Sequence, residues 1–560
     1  MISFFRRSRR PDSYNIDRSI RSNLRARKKA AERRKKHFDL PEFNIRTVHA
    51  SALGKKVINR YAVGSSTVLI TDQYEYLVDD PPLSQEEKMH LAEIASNLLF
   101  MIPTDAVNDG NRFESYLEAS GLSDERFKYL LRREILGYGP LEPLVGDPKV
   151  EDIIVASPKH PVSCSHSDYG IMPTNISFTA EEADAYVEKL VHLCGKSISL
   201  FRPIMSIRLP NGSRLSVSYK KEVSMEGSNF VIRKFPEKPW SITSLMVLNT
   251  LPPEMAGWLM VLEEYRKAFL VCGSMGTGKT SMINALCNLI PERSVIVTIE
   301  DTPELRLAHP NRISLVVREP VTLDEKGEIG MFELVKESLR MSADYIIVGE
   351  VRGEEGRVWA QAIMTGHGGI TSLHAESPRA AIERLLSDPI SVEKGTLRSL
   401  SGILYLAKFS IRNDRKMIQR RRAINFYDID KDFNLTPLFK YDSERDLFSY
   451  DEGLLLESNV AARIIDEFSI EKNDFLKKVR SRIAFLRKLT DLAKVQPEYS
   501  DYSEVARSVW AFQSSPKKSE MEKGSMHGKC PPAFSMNGGI RCPATAKRML
   551  KAKGMPATFP

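Results

Sequence analysis

One segment near the middle of the chain, residues 273–280, constrains the fold more than any other. It reads Gly-Ser-Met-Gly-Thr-Gly-Lys-Thr and matches the pattern G-x-x-x-x-G-K-[S/T] at every position. An apolar run precedes it at Ala268–Cys272, and a helical pattern follows it at Ser281–Leu289. A strand, a glycine-rich loop and a helix in this order favour a phosphate-binding loop, because the loop N–H groups and the helix N-terminus both attract anions.

The loop predicts that ATP is bound together with Mg²⁺. In such a loop the lysine, here Lys279, reaches the β- and γ-phosphates, and the hydroxyl of Thr280 holds the metal ion. The predicted nucleotide-binding residues of the loop are Gly273, Ser274, Met275, Gly276, Thr277, Gly278, Lys279 and Thr280.

Carboxylates follow two further apolar runs. Glu300 comes directly after Val295–Ile299, and Glu350 follows the run Tyr345–Val348 after one glycine. Ligands of a parallel sheet bind at the carboxyl ends of its strands, so both acids are expected beside the loop. Glu350 is the predicted general base and Glu300 a second acid near metal or water, and both are predicted metal ligands with Thr280.

Two histidines bracket another short strand pattern. His367 precedes Ile370–Leu373 and His374 follows it. A histidine in this position can hydrogen-bond the γ-phosphate and respond to its loss. Both histidines are therefore predicted catalytic residues, together with Lys279 and the two acids.

The 560 residues divide by pattern into several segments, as their number already suggests. Residues after about 240 alternate helical patterns with continuous apolar runs, which is typical of a parallel sheet covered by helices on both faces. The prediction is an α/β chain with a smaller α+β N-terminal domain and disordered termini. The predicted segments are a basic arm at 1–40, the α+β domain at 41–235, a linker at 236–243, the α/β domain at 244–513 with C-terminal helices from about 457, and a disordered tail at 514–560.

Within the α+β domain, helices are predicted at 85–101 and 113–136, and strands at 152–155 and 230–235. Thr179 and Glu182 form a capping-box pattern at the start of another helix. Residues 210–212, Pro-Asn-Gly, predict the turn of a hairpin. Alternation along its strands puts Arg208 and Arg214 on polar faces close to that turn.

The positive charge of the chain is concentrated at its N-terminus. Residues 1–40 contain 14 Lys or Arg against 4 Asp or Glu, a net charge of +10, whereas the whole chain carries +9. Such an arm can bind anionic lipid, an acidic protein surface or nucleic acid. A few apolar residues in it, among them Phe4 and Phe5, slightly favour a membrane surface.

Apolar runs and cysteines bear on the compartment. No run reaches the roughly 18–20 apolar residues of a membrane helix, and no signal-peptide core follows the first arginines, so a cytosolic protein is expected. The six cysteines are scattered without a C-x-x-C pair, which argues against a disulfide framework or a zinc site.

Several motifs together resemble the secretion ATPases of the type II/type IV pilus superfamily. The resemblance runs from about residue 85 to 510 and is greatest to the archaeal branch, which holds pilus-assembly, secretion and archaellum-motor ATPases. It is carried by the loop at 273–280, an Asp box at Thr298–Leu305, a Walker B segment at Tyr345–Arg352, a His box at Thr365–His374, and the segments Gly137–Leu144, Val150–Ile153, Leu209–Arg214 and Phe230–Phe235.

The resemblance implies a homohexameric ring whose subunits have an N-terminal domain and a RecA-like P-loop ATPase domain. Nucleotide would bind between the domains and contact arginines, which by motif position are Arg208, Arg214 and Arg233. Arg340 stands where the family has a further arginine, although Met-Ser-Ala replaces the residues that usually follow it. Arg352 is a nucleotide-binding candidate from the Walker B segment.

The family's activity implies a cytoplasmic motor, peripheral at the inner face of the cell membrane. It would act on a polytopic membrane platform protein and, through it, on pilin-like or secreted subunits, with residues 1–40 on anionic lipid. Alternatives are an archaellum motor, a conjugation-type nucleic-acid translocase and a non-catalytic scaffold. Nucleic acid is the less favoured partner, because the electrically balanced body shows no basic groove interleaved with aromatic residues.

Overall fold

Two large β-sheets of different kinds organise the chain, an antiparallel one from its first half and a mostly parallel one from its second. The computed structural model describes residues 45–51, 54–101, 110–119, 122–235, 238–318, 327–413 and 416–514. The predictions for the arm at 1–40 and for residues 515–560 lie outside the described residues. Those described up to Gln513 form one compact unit, and the proposed domain boundaries stay a prediction.

The first half contains a three-stranded sheet, in the order β1-β2-β3, and a six-stranded antiparallel sheet, in the order β6-β5-β4-β9-β8-β7. The strands are β1 (Val57–Val63), β2 (Ser66–Thr71), β3 (Tyr76–Asp79), β4 (Val150–Val155), β5 (Ser163–His166), β6 (Gly170–Pro173), β7 (Ile204–Arg208), β8 (Arg214–Ser218) and β9 (Asn229–Arg233). The helices are α1 (Gln85–Met101), α2 (Gly110–Ala119), α3 (Glu125–Ile135), α4 (Glu142–Gly146), which follows a 3₁₀ turn at Gly139–Leu141, and α5 (Ala180–Leu193).

Two short sequence signals in the first half, a capping box and a hairpin turn, are confirmed by the structure. The Thr179 hydroxyl accepts the N–H of Glu182, and the Glu182 carboxylate accepts the N–H of Thr179, so the capping box forms at the start of α5. The predicted hairpin also forms, and its strands β7 and β8 bring Arg208 directly opposite Arg214.

The single helix predicted at 113–136 is wrong. Helix α2 ends at Ala119 and α3 begins at Glu125, because Asp124 caps the new helix by accepting the N–H of Arg126. Apolar periodicity continues across this boundary, so the pattern alone did not reveal it. Strands β1 to β3 were not predicted.

The second half forms an eight-stranded sheet, in the order β12-β11-β13-β14-β10-β15-β16-β17. Strands β10 to β15 are parallel to their neighbours among themselves, whereas β16 and β17 are antiparallel additions. The predicted α/β fold class is confirmed. The strands are β10 (Phe269–Gly273), β11 (Ile296–Glu300), β12 (Arg312–Val316), β13 (Tyr345–Val348), β14 (Gly368–His374), β15 (Gly402–Asn413), β16 (Lys416–Ile429) and β17 (Leu435–Pro437), with a separate pair β18 (Phe439–Asp442) and β19 (Leu447–Tyr450).

Helices cover both faces of this sheet and form the end of the described chain. They are α6 (Ile242–Val247), α7 (Pro253–Glu264), α8 (Lys279–Leu286) with a 3₁₀ turn at Cys287–Leu289, α9 (Met331–Ser338), α10 (Glu355–Met364), α11 (Pro378–Leu386), α12 (Lys394–Leu397), α13 (Glu452–Glu457), α14 (Asn459–Glu467), α15 (Lys472–Val495), a 3₁₀ turn at Pro497–Ser500, and α16 (Tyr502–Ser514).

Three features of the second half were not part of the prediction. Helix α6 begins at Ile242, inside the predicted linker 236–243, because the Ser241 hydroxyl accepts the N–H of Ser244 and caps it. Helix α16 extends to Ser514. The long hairpin β15–β16 was not predicted, since charged residues interrupt its apolar pattern.

The central strand β10 explains how the sheet is held. Phe269 and Val271 pack into one apolar cluster and Leu270 and Cys272 into another, so successive side chains are buried on opposite faces. This is the arrangement that the unbroken apolar run predicted. Among the described helices, none has both the length and the apolar character needed to cross a bilayer.

Candidate active site

The glycine-rich loop lies at the carboxyl end of β10 and leads directly into α8, which begins at Lys279. Gly276 and Gly278 have φ angles of 74° and 88°, in the left-handed region that favours glycine. A Cβ on Gly273 would stand 2.5 Å from the carbonyl oxygen of Leu406. The glycines are therefore required by backbone conformation and close packing, and the predicted phosphate-binding loop has the expected position.

Lys279 is folded back onto this loop. Its Nζ donates to the carbonyl oxygens of Gly273 and Ser274, each at 3.1 Å, and lies 3.1 Å from Nδ1 of His374. Burial lowers the pKa of Lys279 to about 8, while the carboxylate of Glu350 acts in the opposite direction. A phosphate would offer the ammonium group a charged acceptor in place of two neutral carbonyls.

Three side chains continue from this lysine and form with it one line of contacts, called here the acid–base chain: Lys279, His374, Glu350 and Arg352. Nε2 of His374 lies 3.3 Å from Oε1 of Glu350, and Nη2 of Arg352 donates to Oε2 of Glu350 at 2.6 Å. Burial and the neighbouring ammonium of Lys279 lower the pKa of His374, which favours the neutral ring that can accept from Lys279. The structure thus joins predicted residues from three separate motifs.

The end of β11 places two acids differently. Oε1 of Glu300 accepts the N–H groups of Glu304 and Leu305 at 2.9 and 3.0 Å, so this carboxylate holds the turn that follows its own strand. Burial raises the pKa of Glu300 to about 7. Its expected role as a second acid stays a proposal, with the observed contact showing that it also shapes the Asp box.

Glu304 is the functional candidate that sequence reasoning missed. Burial raises the pKa of the Glu304 carboxyl group, and the positive charges of Arg214 and Arg233 lower it. The side chain of Thr280, the residue predicted to hold Mg²⁺, also lowers this pKa. Its position four residues after Glu300 in the Asp box was the available signal.

These oxygens fit a magnesium ion. Mg²⁺ takes oxygen ligands and in nucleotide sites needs only one or two from the protein, with water and phosphate supplying the rest. The Thr280 hydroxyl interacts electrostatically with the Glu304 carboxylate and lowers its pKa, so both can supply oxygen ligands beside the loop. No cluster of three or more His, Cys, Asp or Glu side chains able to hold a metal is found in the described part of the chain, and such a site does not require one.

Arginines of the antiparallel sheet face these acids. In the strand register Arg208 is opposite Arg214, and Arg214 is opposite Arg233, so three adjacent strands carry an arginine row at one level. Nε of Arg233 donates to Asp152 at 3.1 Å, and Nε of Arg214 donates to the Ser206 hydroxyl at 3.0 Å. Like charges directly opposite each other repel, so an anion beside the arginine row would relieve the repulsion.

Two predicted site residues lie elsewhere in this chain. His367 precedes β14 and lies within 3.0 Å of Thr365 Oγ1 and the Ala362 carbonyl oxygen, at the opposite end of the strand from His374. A strand of this length separates the two histidines by about 20 Å. Arg340 follows α9, is exposed, and pairs with Glu337 at 3.0 Å. The structure does not bring either residue to the phosphate loop.

The chain is similar in sequence to a protein family and to several known proteins. A family model described as "Type II/IV secretion system protein" matches residues 139–423, just over half of the chain. An uncharacterized protein of Methanocaldococcus jannaschii is 33% identical over 394 residues, which cover 69% of this chain and 70% of that protein. The type IV secretion system protein PtlH of Bordetella pertussis is 31% identical over 232 residues, 37% of this chain and 68% of PtlH.

Among solved structures, the ATPase DotB of Legionella pneumophila is 16% identical. The match covers 66% of this chain and 94% of that one, with a TM-score of 0.39.

Proposed function

The chain belongs to the type II/IV secretion system protein family, and on this premise we propose that it is an ATP-hydrolysing motor. It would power assembly of a pilus-like filament, or protein secretion, at the cytoplasmic membrane. The observation that carries the proposal is the acid–base chain, which links the lysine of the phosphate loop to the carboxylate after β13. A glycine-rich turn or a purely structural sheet edge has no need for a lysine, a histidine and a carboxylate in contact.

The proposed hydrolysis assigns a task to each side chain. Lys279 leaves the loop carbonyls and contacts the β- and γ-phosphates, where its charge stabilises the transition state. Glu350 accepts a proton from the attacking water, whose oxygen bonds to the γ-phosphorus as the bond to the bridging oxygen breaks, giving ADP and phosphate. Arg352 and His374 hold Glu350 in place for this step.

Mg²⁺, when bound, neutralises charge on the phosphate oxygens. Thr280 and Glu304 are the residues that would hold it, with Glu300 and Glu350 as the further acids predicted from the sequence. Glu300 keeps the Asp-box turn in shape through its two backbone hydrogen bonds.

The mechanical work of the motor would come from movement of the antiparallel sheet relative to the phosphate loop. The arginine row contributes positive charge from one sheet, and the phosphate loop belongs to the other, so loss of the γ-phosphate weakens the attraction between them. In the proposed hexamer this relative motion passes to a polytopic membrane platform protein, and from it to pilin-like or secreted subunits. An archaellum motor would use the same steps.

The direct test is Mg²⁺-dependent ATP turnover of the purified chain. The variant Lys279→Ala should lose turnover by about 10²-fold or more, because it removes the charge that meets the phosphates. The matched control is Lys494→Ala, since Lys494 is exposed and pairs with nearby Asp491 at 3.0 Å. Hydrolysis at the normal rate by Lys279→Ala would overturn the proposal.

The +10 charge of residues 1–40 favours a second candidate, a conjugation-type nucleic-acid translocase. Turnover stimulated by single-stranded DNA, with the stimulation lost on removal of residues 1–40, would support it over the filament or secretion motor. No stimulation by DNA would leave the first proposal in place.

A further inference from the structure

A basic pair on the unpredicted hairpin lies against the phosphate loop. In the register of β15 and β16, Lys408 is directly opposite Arg421. A Cβ on Gly276 would come within 3.7 Å of Lys408 Nζ, and one on Gly278 within 3.6 Å of Arg421 Cδ. Two cations facing each other across strands are unfavourable unless an anion compensates them.

The Arg421 side chain has one partner on the phosphate loop and one on the antiparallel sheet. Its Nε donates to the carbonyl oxygen of Gly276 at 3.0 Å, and its Nη2 donates to Oε1 of Glu151 at 3.2 Å. Glu151 lies on β4 of the antiparallel sheet, within the Val150–Ile153 segment that the sequence analysis singled out and the catalytic scheme left unused. One guanidinium group therefore connects the phosphate loop to β4.

The contact with Gly276 bears on the phosphate-binding geometry of the loop. A peptide unit is planar and trans, so its C=O and N–H point in opposite directions. Holding the Gly276 carbonyl oxygen on one side fixes the Thr277 N–H on the other. Loop N–H groups are what such a loop offers to phosphate, so the position of Arg421 sets the orientation of one of them.

We propose that Arg421 is a positioning residue that orients the Gly276–Thr277 peptide of the phosphate loop and is itself held by Glu151 of the antiparallel sheet. Nucleotide affinity then depends on the position of β4 relative to the β15–β16 hairpin. Movement of the antiparallel sheet away from the hairpin releases Arg421, frees the peptide and weakens nucleotide binding. The inference rests on the proposed function, because it assumes that the loop binds a nucleotide.

The test measures Mg-ADP affinity of the full chain by calorimetric titration for four variants. Arg421→Ala should weaken binding about tenfold, the effect of one charge-assisted hydrogen bond. Glu151→Gln should weaken it about threefold, as expected for a partly exposed ion pair. Glu151→Gln combined with Arg421→Ala should bind no more weakly than Arg421→Ala alone, because Glu151 acts only through Arg421.

The fourth variant separates positioning from charge. Arg421→Lys keeps the positive charge but loses the planar fork that reaches two acceptors at once, so it should bind as weakly as Arg421→Ala. Recovery of normal affinity in Arg421→Lys would mean that charge alone matters, and it would overturn the proposal. Additive losses in the double variant would overturn the role of Glu151.

Two control variants distinguish a general loss of folding from a specific loss of nucleotide binding. Arg420→Ala removes the neighbouring arginine of β16, which pairs with Asp446 at 3.2 Å, and Glu226→Gln removes the partner of Lys159 at 3.3 Å. Both should bind Mg-ADP normally. Wild-type protein that does not bind Mg-ADP would overturn the proposed function together with this inference, whereas normal affinity in every Arg421 variant would overturn this inference alone.

Discussion

Glu350 is the residue whose surroundings decide the proposed chemistry. Its two carboxylate oxygens are held by Arg352 and His374, and it lies at the carboxyl end of a buried strand. Glu350→Gln keeps the shape and should keep ATP binding while lowering turnover by at least about 10²-fold, the low end for loss of a general base. Single-turnover hydrolysis beside a nucleotide-binding assay would measure both, with exposed Glu354→Gln as the control. Near-normal turnover would move the base to Glu300.

Site residues could be predicted from the sequence where they follow the end of a parallel strand, and were missed where they do not. Lys279, Glu350 and His374 each end or follow a strand, and parallel strands bring such positions to one edge without any knowledge of side-chain contacts. Arg421 depends on Gly276 and Glu151, which are far away in sequence, and no local pattern reveals such partners. Glu304 depends on the shape of the turn after β11, and its spacing from Glu300 was the only local signal for it. His367 comes directly before its strand, so the rule that located His374 also excludes His367 from this edge of the sheet.

Helix α7 contains a fully buried acid, Glu263. Neither of its carboxyl oxygens has a hydrogen-bond partner among the described residues. Burial raises its pKa well above the ordinary 4.5, so the folded chain keeps the proton that the unfolded chain loses above that pH. The stability of the folded state therefore falls as pH rises from about 4.5 toward the raised pKa. Below about 4.5 both states are protonated, and this loss is absent.

Glu263→Gln removes that pH dependence. Its Tm relative to the wild type should rise steadily between pH 5 and pH 8, reaching about 2 °C or more at the upper end. The buried amide carries its own cost of desolvation, but that cost does not change with pH. Exposed Glu457→Gln serves as the control, and a Tm difference that stays constant with pH would contradict the prediction. Thermal melts followed by circular dichroism are sufficient.

Helix α7 packs closely against α15 at Gly257. A Cβ on Gly257 would stand 2.6 Å from Cγ1 of Ile483 and 2.8 Å from its backbone nitrogen, so the helices would have to separate. Gly257→Ala should destabilise the fold by about 1–3 kcal/mol through overpacking. Gly395→Ala is the matched control, because nothing lies within 4 Å of the added methyl group. Equal unfolding midpoints in denaturant for the two variants would refute the packing argument.

Strands that are fully buried were easier to predict from the sequence than strands that carry charged residues. Strands β10 and β13 have every residue buried, and their unbroken apolar runs located them closely. Strand β16 contains Arg420, Arg421 and Arg422, whose partners are Asp446 and Glu151, so its sequence resembles an exposed segment. Tertiary partners that neutralise charge are invisible to a reading of hydrophobic pattern. The sequence therefore identified the core of the sheet and not the hairpin that extends it.

For the whole molecule, charge distribution separates the arm from the body. Residues 1–40 carry +10 while the other 520 carry −1, so attraction to an anionic membrane would act almost entirely through the arm. Anionic vesicles should therefore stimulate ATP turnover of the full chain, and removal of residues 1–40 should abolish the stimulation while leaving basal turnover unchanged. Neutral vesicles are the control for a general effect of lipid.

Salt distinguishes this attraction from insertion of apolar groups. At about 0.5 M salt the screening length falls to about 4 Å, so stimulation that depends on the arm's charge should disappear while basal turnover is largely retained. Apolar anchoring by residues such as Phe4 and Phe5 would survive that salt concentration. Co-sedimentation with vesicles measured beside turnover separates binding from activation. Stimulation that persists in the shortened chain would place the membrane contact on the balanced body, and the arm would then lose its proposed role.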